Sequence, residues 1–448
     1  MAADPLIISV SGIRGVVGTS LTPAEAMRFA ACFGAPLSGG VVAVGRDGRT
    51  TGEMLADAVK AGLAAVGCTV VDLGVAATPT IGYYVKHAKA AGGVQVSASH
   101  NPPEWNGLKL FRPEGFVLSP EAGRRIADAY RDGACTFASW ERVMPGRRER
   151  DPHGPHLERV RELVDLEAVR NKNFRVVLDA NHGAGGAFGP RLLEALGCNI
   201  VVLGGEPDGR FEHAPEPIEE NLRGLCDAVV RQKAAVGFAV DPDADRLALV
   251  DDRGRYIGEE YTLALAIRHR LKSHKGPVVI NASTSLLSEE TAKRAGAVVH
   301  RTPVGEVHVA EKMIAVGAVI GGEGNGGVID PRVGYIRDSA VGMATILDLL
   351  AAEERPLSAI VDEMPVFALV KTKFSVAKEA LPQVFERAEK QFHDARADHS
   401  DGLRLAWDDA WLQIRASNTE PIIRVFAESR DRARSEGLCN AVRGLLPQ

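Results

Sequence analysis

One supersecondary unit occurs three times along this chain, and that repetition restricts the possible fold more than any other feature of the sequence. The strand-like VVAV at 41–44 leads into GRDGRT, a helical stretch over 52–65 and a second apolar run, GCTVVDLG at 67–74. RVVL at 175–178 leads into DANHGAGG, a helical stretch ending at Leu196 and GCNIVVLG at 197–204. PVVI at 277–280 leads into NASTS, a helix through Arg294 and GAVVH at 296–300. Val and Ile runs bounded by glycine fit strands buried on both faces, and helices with glycine just past their ends fit crossovers between parallel strands. The fold class read from this pattern is α/β, with three mixed α/β domains of related architecture.

The remaining segment departs from the repeat. Residues 367–448 carry short strands around 403–405, 411–414 and 422–426 with helices on either side, which reads as a smaller C-terminal α+β domain. Residues 135–155, rich in Arg, Pro, Gly and His, form an exposed link, and a helix over 157–169 opens the second unit. The turn at 251–254 closes that unit, and 356–365 separates the third from the last. The expected domains are therefore 1–150, 151–254, 255–364 and 365–448.

With a formal net charge of -5, the chain has no general attraction for nucleic acid or an anionic membrane, so polyanion binding requires locally placed cations. Its apolar stretches fall short of the roughly 20 residues that span a bilayer, and 1–5 lacks a basic leader, so a cytoplasmic protein with a small-molecule partner is expected. The six cysteines include no C-x-x-C pair and read as small buried thiols.

Four motifs carry chemistry. Ser99 and His100 follow the strand-like GVQV at 93–96 and precede Asn101-Pro102-Pro103, a stiff turn that can expose a serine Oγ toward a cleft. DPDADR at 241–246 places Asp241, Asp243 and Asp245 at alternate positions between two apolar strands. Three such carboxylates repel one another unless a cation sits among them, and hard oxygen ligands favour Mg²⁺. An EF-hand is excluded, because Arg246 stands where its tight turn needs glycine. GGEGNGG at 321–327 sets Glu323 and Asn325 on a backbone of glycine that can approach a ligand closely. Arg415 and Arg424 bracket Ser417, Asn418 and Thr419, a combination of charge, hydroxyls and backbone N–H groups suited to a phosphate dianion.

In this order, the four motifs closely resemble those of the α-D-phosphohexomutase superfamily: a phosphoserine loop, a D-x-D-x-D-R metal loop, a G-E-x-S-G-H sugar loop and an R-x-S-G-T-E-P-x-x-R phosphate loop. SGIRG at 11–15, GRDGR at 45–49 and Thr78-Pro79 match as well, so the likeness spans essentially the whole chain. The resemblance implies four domains around a central cleft, one motif from each. It implies that Ser99 carries the transferable phosphoryl group and, with Asp241, Asp243 and Asp245, holds Mg²⁺. Arg246 is expected on the same phosphate, Lys109 and Arg14 near the reacting hydroxyl as general acid/base or charge stabiliser, and His100 lining the site. Glu323 and Asn325, with Gly305 in the nearby 301–305 loop, are expected to read sugar hydroxyls. Arg415, Ser417, Asn418, Thr419 and Arg424 are expected to clamp the phosphate that is not reacting. The activity implied is exchange of hexose 6-phosphate and hexose 1-phosphate through a hexose 1,6-bisphosphate, with monomer and homodimer both open.

Two departures bear on the sugar. Gly327 stands where many bacterial relatives have histidine, and Asn418 replaces the usual glycine. Ser97, where glucose and mannose enzymes more often have Thr, tilts the reading toward phosphoglucosamine mutase; phosphomannomutase or phosphoglucomutase is the alternative. Two rivals lie outside the mutases. A haloacid-dehalogenase-like phosphatase would use Asp243 as nucleophile, but Arg246 and Leu247 stand where that fold prefers Thr or Val. A non-catalytic sugar-phosphate binding protein would never carry phosphate on Ser99.

Overall fold

Each apolar run of the repeat forms a strand because both of its faces are covered: Val236–Val240 and Leu247–Asp251 are buried at every position. The computed structural model describes residues 6–9, 12–416 and 422–446. The three expected strand–helix–strand units are present as parallel pairs: Val41–Arg46 with Thr69–Val75, Arg175–Asp179 with Asn199–Leu203, and Val278–Asn281 with Val299–Thr302.

The repeat is longer than the sequence pattern implies. In each domain an antiparallel hairpin continues the sheet on the other side of the unit's first strand. These hairpins are Gly92–Val96 with Trp105–Phe111, Val236–Val240 with Leu247–Asp251, and Ile320–Glu323 with Gly327–Ile329. The Ser99 loop, the DPDADR loop and the glycine-rich loop are the turns of these three hairpins. Each lies past the carboxyl end of a strand that runs parallel to its central neighbour, the end at which open α/β sheets bind ligands.

The C-terminal sheet is antiparallel, in the order Ala368–Ser375, Ile422–Ser429, Ala410–Ala416, Leu403–Ala406, Arg396–Asp398. Helices Leu381–Gln391 and Arg432–Leu445 share its apolar core through Val384, Ala388, Cys439 and Val442. Among the described residues, no helix is long and apolar enough to cross a membrane. The expected helix over 157–169 is two helices, Gly154–Arg161 and Leu166–Lys172, because the Asp165 carboxylate caps a fresh start by accepting from Ala168 N–H at 3.0 Å.

The first three domains meet at a buried polar junction. Thr80 Oγ1 lies 3.1 Å from His153 Nδ1 and 3.0 Å from His156 Nδ1, and His156 Nε2 lies 2.7 Å from Asp338 Oδ2. Asp338 also caps helix Ser339–Glu353. Burial lowers the pKa of His153 from 6.5 to about 4. An unfolded chain protonates this ring below about pH 6.5, whereas the folded chain stays neutral until about pH 4, so acid favours unfolding across that window. Thermal denaturation from pH 7 to pH 4 is expected to show stability falling as pH falls, by at most about 3 kcal/mol from this group. His153→Gln should flatten that dependence.

Candidate active site

Ser99 stands at φ +50°, a left-handed backbone that a non-glycine residue rarely enters, at a cost of roughly 1–3 kcal/mol. The loop is held there from beneath. Ser97 Oγ accepts from Ser99 N–H at 2.8 Å and donates to Asp47 Oδ2 at 2.6 Å. Arg49, 2% exposed, donates to four carbonyls of the loop: Ser99 at 2.7 Å, Asn101 at 2.6 Å, Pro102 at 2.7 Å and Trp105 at 2.9 Å. Its Nε lies 3.3 Å from Asp47, whose pKa burial raises to about 6 against the opposing pull of Arg49 and Ser97. The same GRDGR segment packs on the second domain, since a Cβ at Gly48 would stand 2.1 Å from the His182 carbonyl oxygen.

The three aspartates of the second hairpin are fully buried, and each offers an oxygen within 4.8 Å of the others. Asp241 Oδ2 accepts from Ser99 Oγ at 2.6 Å, across 142 residues of sequence, while its Oδ1 accepts from Asp245 and Arg246 N–H. Asp243 Oδ2 accepts from Thr78 Oγ1 at 2.5 Å and from Lys109 Nζ at 2.8 Å. Asp245 Oδ2 accepts from Lys109 Nζ at 2.8 Å and from Arg337 Nη2 at 2.6 Å. Burial, reinforced by Asp243 and Asp245, pushes the Asp241 pKa well up. Burial works against the Asp243 charge too, but Lys109, Thr78 and Asp241 together outweigh it and hold that carboxyl below the usual range. Asp243 Oδ1 and Asp245 Oδ1 are buried without a hydrogen-bond partner. Two orphaned carboxylate oxygens in an all-oxygen donor set fit a hard divalent cation. Ala244, at φ +56°, is fixed by Ser339 Oγ, which donates to its carbonyl at 2.7 Å.

A cavity of about 360 Å³ opens above this centre. Arg14, Lys109, Arg246, Arg337 and Lys371 line it, against the carboxylates Glu260, Glu306 and Glu323. Cations thus predominate in a chain whose net charge is -5. Burial disfavours the Lys109 charge, yet Asp243 and Asp245 more than compensate and raise its pKa, so Lys109 is fitted to stabilise charge. Arg246, then burial and Arg14, lower the His100 pKa to about 2. His100 Nδ1, 3.4 Å from Ser99 Oγ, is therefore a neutral ring beside the serine. Arg14 Nη1 donates to Asn101 Oδ1 at 3.4 Å, tying it to the serine loop.

Across the cavity, Glu323 is ringed by donors. Its Oε1 accepts from Asn281 Nδ2 at 2.8 Å and Gly305 N–H at 3.2 Å; its Oε2 accepts from Arg337 Nη1 at 2.8 Å and Asn325 Nδ2 at 3.5 Å. Asn325 Oδ1 is buried and unpartnered. Gly326, at φ +83°, lets this hairpin touch the metal loop's exit strand, where its carbonyl accepts from Leu247 N–H at 3.1 Å. In the C-terminal sheet, Arg415 and Arg424 are direct cross-strand partners, and Lys373 is the next partner of Arg424 in the same row. Like charges placed opposite one another destabilise a sheet unless an anion joins them. Ser417, Asn418 and Thr419 lie outside the described residues.

The structure thus brings Ser99, His100, Lys109, Arg14, Arg246 and the three aspartates together, with Gly305, Glu323 and Asn325 across the same cavity. Family models for the phosphoglucomutase/phosphomannomutase α/β/α domains I, II and III match residues 6–135, 154–254 and 259–367, and the model for the C-terminal domain matches 370–445. The chain belongs to the phosphoglucomutase/phosphomannomutase family. It is a phosphohexomutase, an isomerase. A protein of Thermococcus kodakarensis named phosphoglucomutase/phosphomannomutase is 39% identical over 94% of this chain and 93% of its own length. A protein of Methanopyrus kandleri named a probable phosphoglucosamine mutase is also 39% identical, over 95% of this chain and 94% of its own. The crystal structure of a phosphoglucomutase/phosphomannomutase family protein from Burkholderia thailandensis superposes with a TM-score of 0.86 at 27% identity, covering 98% of this chain and 96% of that one.

Sequence reasoning missed Arg49 as the staple of the serine loop, Thr78 as the brace of Asp243, Lys373 as a third cation in the clamp row, and Arg337. For Arg49 and Thr78 the motif matches were a signal, but the carbonyls and carboxylate they serve lie elsewhere in the chain. Replacing Arg49 with Ala is expected to lower the first thermal transition of the mutase and to slow Ser99 phosphorylation by a hexose 1,6-bisphosphate about a hundredfold. Arg49→Lys should do nearly the same, since an ammonium cannot reach four carbonyls from one plane.

Proposed function

We propose that this phosphohexomutase moves the phosphoryl group through Ser99 and that its preferred sugar is glucosamine phosphate. The observation that carries the first part is the 2.6 Å bond between Ser99 Oγ and Asp241 Oδ2, which joins serine loop and acidic loop beside the cavity that Arg14, Lys109 and Arg246 line. Phosphoryl transfer asks mainly for positioning and for positive charge around the equatorial oxygens. Arg14, Lys109 and Arg246 supply that charge. When bound, Mg²⁺ held by Asp241, Asp243, Asp245 and a phosphoserine oxygen adds a divalent charge at the same group.

In the forward half-reaction a hydroxyl of hexose 6-phosphate attacks phosphorus on Ser99. The new P–O bond forms to the sugar as the bond to Oγ breaks, and the proton lost by the hydroxyl is balanced by one gained at Oγ, which Asp241 Oδ2 holds. The resulting hexose 1,6-bisphosphate turns over and returns its other phosphate to Ser99. Arg415, Arg424 and Lys373 form the row that receives whichever phosphate is not reacting; Ser417, Asn418 and Thr419 share that role by their match to the family's phosphate motif. Glu323 and Asn325, beside Gly305, read the sugar between the two.

Support for glucosamine comes from one acceptor on the cavity wall: the unpartnered Asn325 Oδ1, beside the Glu323 carboxylate, suits an amino sugar. Glucose or mannose phosphate is the second reading, supported by the Thermococcus kodakarensis relative. Ser97 does not discriminate, because its hydroxyl is spent on Asp47 and Ser99 N–H. Steady-state kinetics of the purified, phosphorylated enzyme should give a kcat/KM for glucosamine 1-phosphate above those for glucose 1-phosphate and mannose 1-phosphate; the reverse order selects the second reading. Ser99→Ala should abolish turnover of all three, whereas an Asp243 phosphatase would keep most of its activity. Chelation should cost at least about a hundredfold in kcat, restored by added Mg²⁺.

A further inference from the structure

Arg337 belongs to none of the four sequence motifs, yet it connects two of them. It immediately precedes the cap of helix Ser339–Glu353 and is nearly buried, with its side chain on the wall of the cavity. Nη2 donates to Asp245 Oδ2 at 2.6 Å and Nη1 donates to Glu323 Oε2 at 2.8 Å. Its backbone N–H donates to Glu306 Oε1 at 2.6 Å, which fixes where the side chain starts. One planar guanidinium therefore bridges a carboxylate of the metal loop and a carboxylate of the sugar loop.

A second observation explains why the sugar loop ends in glycine. A Cβ built at Gly327 would stand 2.2 Å from Arg337 Cδ and 2.7 Å from its Cγ. Space above position 327 is filled by the arginine stem, so no side chain can occupy that position while Arg337 keeps its path.

We propose that Arg337 is a positioning and specificity-determining residue that holds the Glu323 carboxylate rigid against the sugar and links it to Asp245. The proposal rests on the mutase reading of the site. With Asn281 and Gly305 on Oε1 and Arg337 on Oε2, Glu323 cannot rotate to suit a differently arranged hydroxyl. Without Arg337, Oε2 keeps only the 3.5 Å contact from Asn325, and the carboxylate becomes adaptable. Asp245 retains Lys109, so loss of Arg337 loosens sugar reading more than it disturbs the acidic loop.

The test is steady-state kinetics of the full-length phosphorylated enzyme with glucose 1-phosphate, mannose 1-phosphate and glucosamine 1-phosphate. It uses Arg337→Ala, Arg337→Lys, Gly327→His and the double variant Gly327→His/Arg337→Ala. Both single Arg337 variants should lower kcat/KM for the best sugar about a hundredfold and narrow the best-to-worst ratio about tenfold. Lysine keeps the charge but not the two-carboxylate bridge, so it should fail to restore discrimination; it also carries the test if the alanine variant does not fold. Gly327→His alone should lose most activity, and removing Arg337 as well should return about tenfold of it. A best-to-worst ratio unchanged in both Arg337 variants, or a Gly327→His enzyme as active as the wild type, overturns the proposal. Failure of the wild type to turn over any of the three sugars would instead sink the mutase reading beneath it.

Discussion

Three buried carboxylates whose oxygens lie within 4.8 Å of one another are an electrostatic debt that the second domain cannot settle alone. The donors come from its neighbours. The first domain sends Ser99, Thr78 and Lys109, and the third sends Arg337 to Asp245; the third also pins the loop's backbone, Ser339 donating to the Ala244 carbonyl and the Gly326 carbonyl accepting from Leu247 N–H. Convergence of these groups is thus the same event as neutralisation of the acidic loop. The two orphaned oxygens on Asp243 and Asp245 mark what protein donors leave for a cation.

The threefold hairpin gives this convergence its geometry. Because each domain repeats the same strand order, its functional loop emerges at the same end of the sheet. Three copies arranged around one cavity therefore bring Ser99, the three aspartates and Glu323 toward a common point. The C-terminal sheet adds its cations from a different architecture, with Lys373, Arg424 and Arg415 in one cross-strand row.

Much of this was legible in the sequence, for physical reasons that also explain the gaps. Buried parallel strands need continuous Val and Ile, so the three strand–helix–strand units stood out. The hairpins were harder, since the third runs through GGEGNGG, where glycine serves close approach and carries no strand signal. Ala368–Ser375 escaped notice because its exposed Lys371 and Lys373 break the apolar pattern. Ser99, the aspartates, Glu323 and Asn325 were legible as candidates because each stands in a short local motif that resembles the family's. Arg49 and Arg337 act on groups 14 to 92 residues away, as their bonds to Glu323, Ser99 and Asp245 show, and no local pattern encodes such partners.

The central claim is that the oxygen on Ser99 and the three carboxylates share one divalent cation. Phosphorus NMR of the phosphoserine enzyme, titrated with Mn²⁺ in place of Mg²⁺, measures that proximity directly through paramagnetic relaxation. Strong, saturable broadening of the phosphoserine signal, weakened when Asp243 is replaced by Asn, is the predicted result. A phosphoserine resonance that stays sharp while Mn²⁺ is bound to the enzyme would contradict the account.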